Sequence, residues 1–449
     1  MKKIEVAVLD SKISDLYTAE LFHSKFASET HDMFNLHGTL CYLIIKQTSN
    51  GLVMSNYEIL TENERGKVEN LELALKWCVD KGIYLANLSF GSNHFLDSQQ
   101  IKSVVNCYAN KGMILVVATS NDVFSSYPAK FSSVIGVAQN HIRYQDEDLR
   151  SHIGVDILAP SEHKINVFGT QIETEKCNSY AAPYICSMVG KLFQKYGILT
   201  IKQTKKILLQ DDFHEPYMPD WISKAYIYGK RPTTKAPFYF QEVSDPSQAD
   251  TIVLCEGAEV GANALVGKHC VNLTEEKIDS FDNNYFFWSS QNRVQQIQKA
   301  NPTEHDFDIP IISLTIPESE DNWDVLFQLK SLFVKEHYNA YVTSWEKSSV
   351  LYDIEFLPPL KNKDSVQIRH FLYWETYYNQ SDVLLISNYK EITKKYISTD
   401  IDIIIKRESY GYDIEIVEND QHHKSILKNI CLDQTVIKKI YQQLLLLLQ

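Results

Sequence analysis

Residues 69–90 read ENLELALKWCVDKGIYLANLSF, and this run of helix pattern into strand pattern sets the fold class. Leu71, Leu75 and Cys78 recur at helical spacing, and Gly82 follows as a helix-ending residue. The segment 83–90, IYLANLSF, is then a short apolar run of strand length. The same unit recurs on both sides. Upstream, IEVAVL (4–9) suits a strand buried on both faces. Downstream, a helical stretch from about residue 97 to 111 closes at Gly112 and leads into MILVVAT (113–119). Strand–helix–strand repetition over 1–205 implies an α/β fold, a parallel sheet covered by helices, because parallel neighbours need a crossover between them. In such sheets the chemistry gathers at the carboxyl ends of the strands.

Composition excludes several functions. The 449 residues include 44 Lys+Arg and 57 Asp+Glu, a net charge of −13. A generic nucleic-acid binder needs a basic face to displace counterions, so that class is excluded. Hydrophobic residues at 44% and charged residues at 22% leave enough apolar side chains for packed cores and argue against disorder. The cysteines at 41, 78, 107, 177, 186, 255, 270 and 431 form no C-x-x-C pair. They read as reduced, mostly buried thiols rather than a disulfide framework or a zinc site. The apolar run at 6–9 stops at Asp10, and no segment approaches the roughly 20 apolar residues of a membrane span. The expected compartment is the cytoplasm, with neither membrane nor nucleic acid as partner.

Prolines 216, 219, 232, 237 and 246 crowd into one stretch, which marks residues 213–248 as a Pro-rich connector between domains 1–212 and 249–449. Beyond it, strand patterns at 251–255, 310–316, 339–344, 382–387 and 400–406 alternate with helix patterns near 322–336 and 433–449, predicting a second α/β domain. Within it, EGAEVGANALVGKH (256–269) superficially suggests a phosphate loop. Five residues separate Gly261 from Gly267, and His269 stands where a Ser or Thr must meet magnesium, so a structural turn is the better reading.

Three segments carry the chemistry. VAVLDSKI (6–13) is a strand ending at Asp10. HGTL (37–40) opens an apolar run over 40–45 suited to a buried helix. CNSYAAPYICSMVG (177–190) places Ser179 just ahead of a small-residue helix. Singly, each is an ordinary turn or cap. Together they offer a carboxylate, an imidazole and a hydroxyl, the set that activates a serine nucleophile, in the chain order Asp, His, Ser.

On these segments the first domain resembles the subtilisin-like serine proteases. NLSFG (87–91) is similar to the family's substrate-binding strand. MILVVATSND (113–122) is similar to the strand that leads to its oxyanion asparagine. SYPAKFSSVIGVA (126–138), VDILAP (155–160) and the SYAAP of 179–183 follow in the family's order. The resemblance implies a subtilisin-like fold and an endopeptidase in which Ser179 is the nucleophile, His37 the base and Asp10 its orienting carboxylate. It further implies Asn121 as oxyanion donor, and a cleft lined by Ser89, Phe90, Gly91, Ala118, Thr119 and Ser120. Several positions depart from the pattern: Lys12 stands for a glycine after Asp10, Cys177-Asn178 for Gly-Thr, Ser120 for a glycine and Leu40 for a second histidine. None removes a catalytic atom. Asp10 lies ten residues from the start, so no N-terminal propeptide is expected and restraint must come from elsewhere. Relatives often bind calcium; no calcium motif is evident here, and no metal ligand is assigned.

The stretches 323–344 and 368–387 of the second domain resemble accessory proteins of bacterial peptide-maturation clusters. That likeness implies a domain that recruits a precursor peptide whose leader the protease removes. Two alternatives stand beside it, a catalytically silent peptide-binding module and a general degradative protease. The sequence assigns no oligomeric state.

Overall fold

The structure is a computed structural model. It describes residues 3–13, 37–60, 67–144, 150–167, 169–232, 234, 236–276, 278, 281–299, 305–317, 323–360, 365–388, 393–418 and 421–448. Two compact units divide the chain. The first holds Met1–His214, Asp220–Ser223 and Asn283–Phe286; the second holds Glu215–Pro219, Lys224–Asp282 and Phe287–Gln449.

The first unit is built on a six-stranded parallel sheet. Its strands are β1 (Ile4–Asp10), β2 (Leu52–Glu58), β3 (Leu85–Leu88), β4 (Ile114–Ala118), β5 (Ile135–Gln139) and β6 (Ile157–Ala159), in the order β2-β1-β3-β4-β5-β6. Val6, Ala7, Val8 and Leu9 are all fully buried, as a strand covered on both faces requires. Alternate residues serve alternate faces. Ala7, Leu9, Ala86, Leu88, Leu115 and Val117 join one apolar cluster with helices α2 (Val68–Asp80) and α3 (Ser98–Ala109), through Leu71, Leu75, Ile101 and Val105. Each large apolar side chain so buried contributes about 1.5–3 kcal/mol.

Helices α1 (His37–Thr48) and α4 (Asn178–Tyr196) pack against each other, and α4 runs along β3, β4 and β5. The buried residues of α4 mix the small Ala181, Ala182, Ser187 and Gly190 with the large Ile185, Val189 and Phe193. A Cβ at Gly190 would stand 2.7 Å from the Leu52 side chain. A two-stranded antiparallel ribbon, β7 (Lys164–Val167) with β8 (Thr170–Glu173), and helix α5 (Ile201–Leu209) complete the labelled elements of the unit.

The strand expected over 83–90 is only Leu85–Leu88 in the sheet. Beyond Leu88 the chain leaves its neighbours, and Ser92 instead pairs with Tyr127 in an isolated antiparallel bridge. That departure frees Ser89, Phe90 and Gly91 from the sheet.

The second unit is also α/β. One parallel sheet has the order β10-β9-β11-β12-β13, from β9 (Lys224–Tyr228), β10 (Gln241–Glu242), β11 (Thr251–Leu254), β12 (His269–Asn272) and β13 (Phe287–Ser289). Residues 213–248, set apart by their prolines, thus supply two of its strands. The loop at 256–269 forms a short 3₁₀ turn, Ala262–Leu265, between β11 and β12.

The other sheet has the order β16-β15-β17-β14-β18-β19-β20. Its strands are β14 (Ile311–Thr315), β15 (Ala340–Ser344), β16 (Glu355–Phe356), β17 (Val383–Ser387), β18 (Ile401–Glu408), β19 (Gly411–Glu418) and β20 (Gln421–Ile430). The last three form an antiparallel meander. Sequence patterning anticipates β18 but neither β19 nor β20, whose charged residues dilute the apolar alternation. The terminal helix, Gln434–Leu447, is capped by Asp433, whose carboxylate accepts from the Thr435 and Val436 N–H groups.

Candidate active site

Asp10 is the last residue of β1 and is fully buried. Its Oδ1 accepts from the Ser11 N–H at 2.7 Å and lies 2.8 Å from His37 Nδ1. His37 opens α1, where the first N–H groups have no helical acceptor. Ser11 Oγ fills that need by accepting from the Gly38 N–H at 3.0 Å. The approach is so close that a Cβ at position 38 would stand 2.5 Å from the Ser11 carbonyl oxygen, which explains the glycine after the histidine. Asp10 Oδ2 is buried with no hydrogen-bond partner among the described residues. Oδ1 alone therefore serves both the Ser11 N–H and the imidazole.

Ser179 is the second residue of α4. Its Oγ donates to the Ser89 carbonyl oxygen at 3.0 Å, which places the hydroxyl at the point where the chain leaves β3. The ring of the next residue, Tyr180, lies 5.5 Å from that of His37. Pro183 carries no N–H, so the Ser179 carbonyl lacks its helical donor four residues on. The Cys41 thiol stands 3.6 Å from that oxygen and 3.3 Å from Ser89 Oγ. Burial, then the Asp10 charge, raises the Cys41 thiol well above its ordinary value, so this sulfur is a neutral packing group. Cys177, the N-cap of α4, is likewise raised by burial, although the Tyr180 and Ser179 N–H groups oppose the shift.

Asn121 lies on the loop after β4. Its Oδ1 accepts from the Asn178 backbone N–H at 2.8 Å, one residue before the serine. The acceptor end of the amide is thus pinned to the start of α4, and Nδ2 remains a donor. Ser179 and Asn121 therefore meet at a helix N-terminus, where free N–H groups and the helix dipole favour negative charge.

Asn178 is the residue that sequence reasoning missed. In the sequence it is only a departure from the family's Gly-Thr, yet its fully buried side chain braces the site. Oδ1 accepts from the Gln139 N–H at 2.8 Å, at the end of β5. Nδ2 donates to Thr119 Oγ1 at 2.9 Å and to the Ser120 carbonyl at 2.6 Å, just past β4. One amide therefore ties together two strand ends and the nucleophile helix. The Asn-Ser dipeptide was its only local signal, since Asn178 is 39 residues from Gln139 and 58 from Ser120.

The expected cleft residues form two backbone stretches beside Ser179. Ser89 is buried and receives Asn87 Nδ2 on its Oγ at 2.9 Å. Phe90 is half-buried and packs against the apolar cluster under the sheet. Gly91 is exposed, and a Cβ there would stand 2.8 Å from the Tyr127 carbonyl oxygen. Opposite, Ala118 ends β4, the Thr119 N–H donates to the Val137 carbonyl at 2.9 Å, and the Ser120 N–H donates to Ser126 Oγ at 2.9 Å.

Asp10, His37 and Cys41 bring one potential metal-ligand atom each within 4.8 Å of one another. Calcium takes six to eight oxygen ligands, and this trio of oxygen, nitrogen and sulfur does not fit it. All eight cysteines are free thiols. Among the described residues no helix is long and apolar enough to cross a membrane.

Comparison with known proteins places the chain in a family. The model of the subtilase family matches residues 2–229, half of the chain, and the chain belongs to that family. Subtilisin BL of Lederbergia lenta is 27% identical over 144 residues, covering 31% of this chain and 52% of that protein. M-protease of Shouchella clausii (strain KSM-K16) is 26% identical over 144 residues, covering 31% and 37%. The chain thus spans about half or less of the length of these curated relatives. Among solved structures, a cold-adapted subtilisin-like serine proteinase aligns with a TM-score of 0.36 at 19% identity, covering 46% of this chain and 80% of that one. A lanthipeptide protease aligns with a TM-score of 0.35 at 15% identity, covering 46% and 78%.

Proposed function

We propose that this chain is a serine endopeptidase that cleaves peptide bonds with Asp10, His37 and Ser179 and processes a peptide precursor in the cytoplasm. The observation that carries the reading is the imidazole of His37 held 2.8 Å from the buried Asp10 carboxylate, with the ring of Tyr180, next to Ser179, 5.5 Å from that imidazole, while the Asn121 amide is anchored one residue before Ser179. In the first step the Ser179 Oγ–H proton passes to His37 Nε2 as the Oγ–C bond forms, and the carbonyl electron pair moves onto oxygen. Asn121 Nδ2 and the Ser179 N–H donate to that oxyanion. Collapse breaks the C–N bond, and the leaving amine takes the proton from His37. Water then repeats the sequence on the acyl-enzyme. Asp10 keeps the imidazole oriented and stabilises its cationic form throughout.

Two stretches support the cleft assignment. Ser89, Phe90 and Gly91 leave the sheet beside Ser179, and Ala118, Thr119 and Ser120 flank them, so an extended substrate can add to this backbone as a strand. In this reading the second α/β unit recruits the substrate, since tethered substrate is cleaved at a raised local concentration and selectivity need not reside in the cleft. Free thiols throughout the chain fit a reducing compartment.

The first test is a fluorophosphonate probe with the adduct located by mass spectrometry. Labelling at Ser179 that disappears in Ser179→Ala supports the triad. A well-folded protein that does not label refutes it and favours the second reading, a silent peptide-binding module. The Ser179 hydroxyl's donation to the Ser89 carbonyl is the feature that favours that alternative. Rapid hydrolysis of unrelated unfolded proteins would instead indicate general degradation.

A further inference from the structure

The seven-stranded sheet of the second unit ends at β20, which has β19 on one side and, among the described residues, no strand on the other. An edge of that kind presents backbone N–H and C=O groups that another chain can pair with. Residues opposite one another in an antiparallel ladder share a face. Ile414 lies opposite both Ile405 and Leu427, and Ile416 lies opposite Ile403 and Ser425, so these side chains make one face. The terminal helix runs beside it, and between them is a cavity of about 140 Å³, floored by Ile414, Ile416 and Leu427 and walled by Lys439, Ile440 and Gln443. A void of that size takes up a group as large as benzene, so one side chain of a ligand fits. Leu446 follows Lys439 by seven residues, two turns along the same side of the helix, and is 64% exposed. Apolar surface therefore continues past the cavity.

Charge selects the occupant. The chain carries −13 in all, yet residues 421–443 hold Lys424, Lys428, Lys438 and Lys439 against one acid, Asp433, which caps the helix. Lys428, Lys438 and Lys439 are exposed. Glu415 of β19 lies on the opposite face, 3.2 Å from Lys406 Nζ, and Glu418 lies at the far end of the ladder opposite Gln421. Lysines on an edge strand oppose pairing with a second copy of the same edge, and they favour a strand of acidic residues. We propose that an acidic segment of the peptide substrate adds to β20 as a further strand and seats one apolar side chain in the cavity against Ile414, Ile416 and Leu427. Main-chain hydrogen bonds supply the affinity, and the cavity with its lysines supplies the selectivity. This inference deepens the recruiting role proposed above and rests on it for taking the occupant to be substrate.

The test uses full-length Ser179→Ala, so that binding is read without cleavage, and fluorescein-labelled peptides of ten residues, the length of β20. One peptide alternates Glu with Val around a central Leu, a second has Lys for every Glu, and a third has Ser for every apolar residue. By fluorescence anisotropy the first should bind about tenfold or more tighter than the second, and should weaken as salt is raised. The third should bind about tenfold or more weaker than the first, because the cavity stays unfilled. Lys439→Glu changes an exposed side chain and should weaken the first peptide about three- to tenfold. Amide exchange within 421–430 should slow when that peptide binds. Equal binding of the acidic and basic peptides, no binding, or binding without protection in 421–430 overturns the proposal. Joining the acidic segment to a peptide that the wild type cleaves should lower KM with kcat unchanged; binding without that change overturns substrate as the occupant. Fluorophosphonate labelling of wild-type Ser179 with no peptide bound removes the edge site alone, whereas peptide binding to a protein that does not label leaves the edge site and removes the protease.

Discussion

Replacing Asn178 by alanine should weaken the fold and the chemistry together. The side chain is fully buried and makes three bonds of 2.6–2.9 Å, to the Gln139 N–H, Thr119 Oγ1 and the Ser120 carbonyl. Alanine leaves the Gln139 N–H and the Ser120 carbonyl without this partner. Each buried orphan costs about 1–3 kcal/mol, so the expected loss is about 2–6 kcal/mol, with water entry favouring the lower end. The loss is local to the loop that carries Asn121, so geometry at the oxyanion should slacken even under conditions where the protein remains folded. A positioning error of this kind costs about 10²-fold in rate.

Urea unfolding gives the first quantity, and the rate of fluorophosphonate acylation in fully folded protein gives the second. Asn178→Asp sharpens the comparison, since it keeps the acceptor for Gln139 but loses both donors and sets a carboxylate against the Ser120 carbonyl. It should acylate more slowly than wild type and be no more stable than the alanine variant. A change below about 0.5 kcal/mol with acylation within twofold of wild type would refute the bracing role.

Other expected outcomes follow from single contacts. Asn121→Asp preserves the acceptor for the Asn178 N–H but removes the amide donor, so kcat should fall by about 10²–10³, or further given the added charge, with KM little changed. Gly38→Ala drives a Cβ to 2.5 Å from the Ser11 carbonyl, which must displace the start of α1. Thermal unfolding should show a loss of about 1–3 kcal/mol, and acylation of Ser179 should slow as His37 moves off Asp10.

His163 gives a pH dependence. Burial lowers its pKa below the ordinary histidine value, against the opposing Tyr180 carbonyl bond at 3.0 Å. The unfolded chain therefore takes up the proton at a higher pH than the fold does. The contribution to stability is whole above the ordinary histidine pKa of about 6.5 and drains away as pH falls through it toward the folded value. Urea midpoints measured from about pH 8 to pH 5 should decline, and less steeply in His163→Gln. An equal slope in the variant would assign the decline to other groups.

The parallel β-α-β organisation was legible because its signals are local. The buried run at 4–9, the amphipathic spacing from Leu71 to Cys78 and the glycines at 82 and 112 each act within one or two turns of chain, and the described elements follow them closely. The same holds for the placement of Asp10 at a strand end and of His37 and Ser179 at helix starts. The strands β19 and β20 were not legible, because their charged residues obscure the alternation and their stability comes from pairing with each other and with β18.

Within the site, sequence alone determined which residue types were available and in what order they occur along the chain. Tertiary structure decided what each one touches. Nothing near Asn178 in the chain reveals that it spans β4 and β5, and nothing near Ser126 reveals that its Oγ accepts from the Ser120 N–H. Nor does the loop around Asn121 disclose that the start of α4 orients its amide. These contacts join residues 6 to 58 positions apart. They exist only because packing α4 onto a six-stranded sheet brings polar groups out of water, and each must then find its partner wherever the fold has placed one.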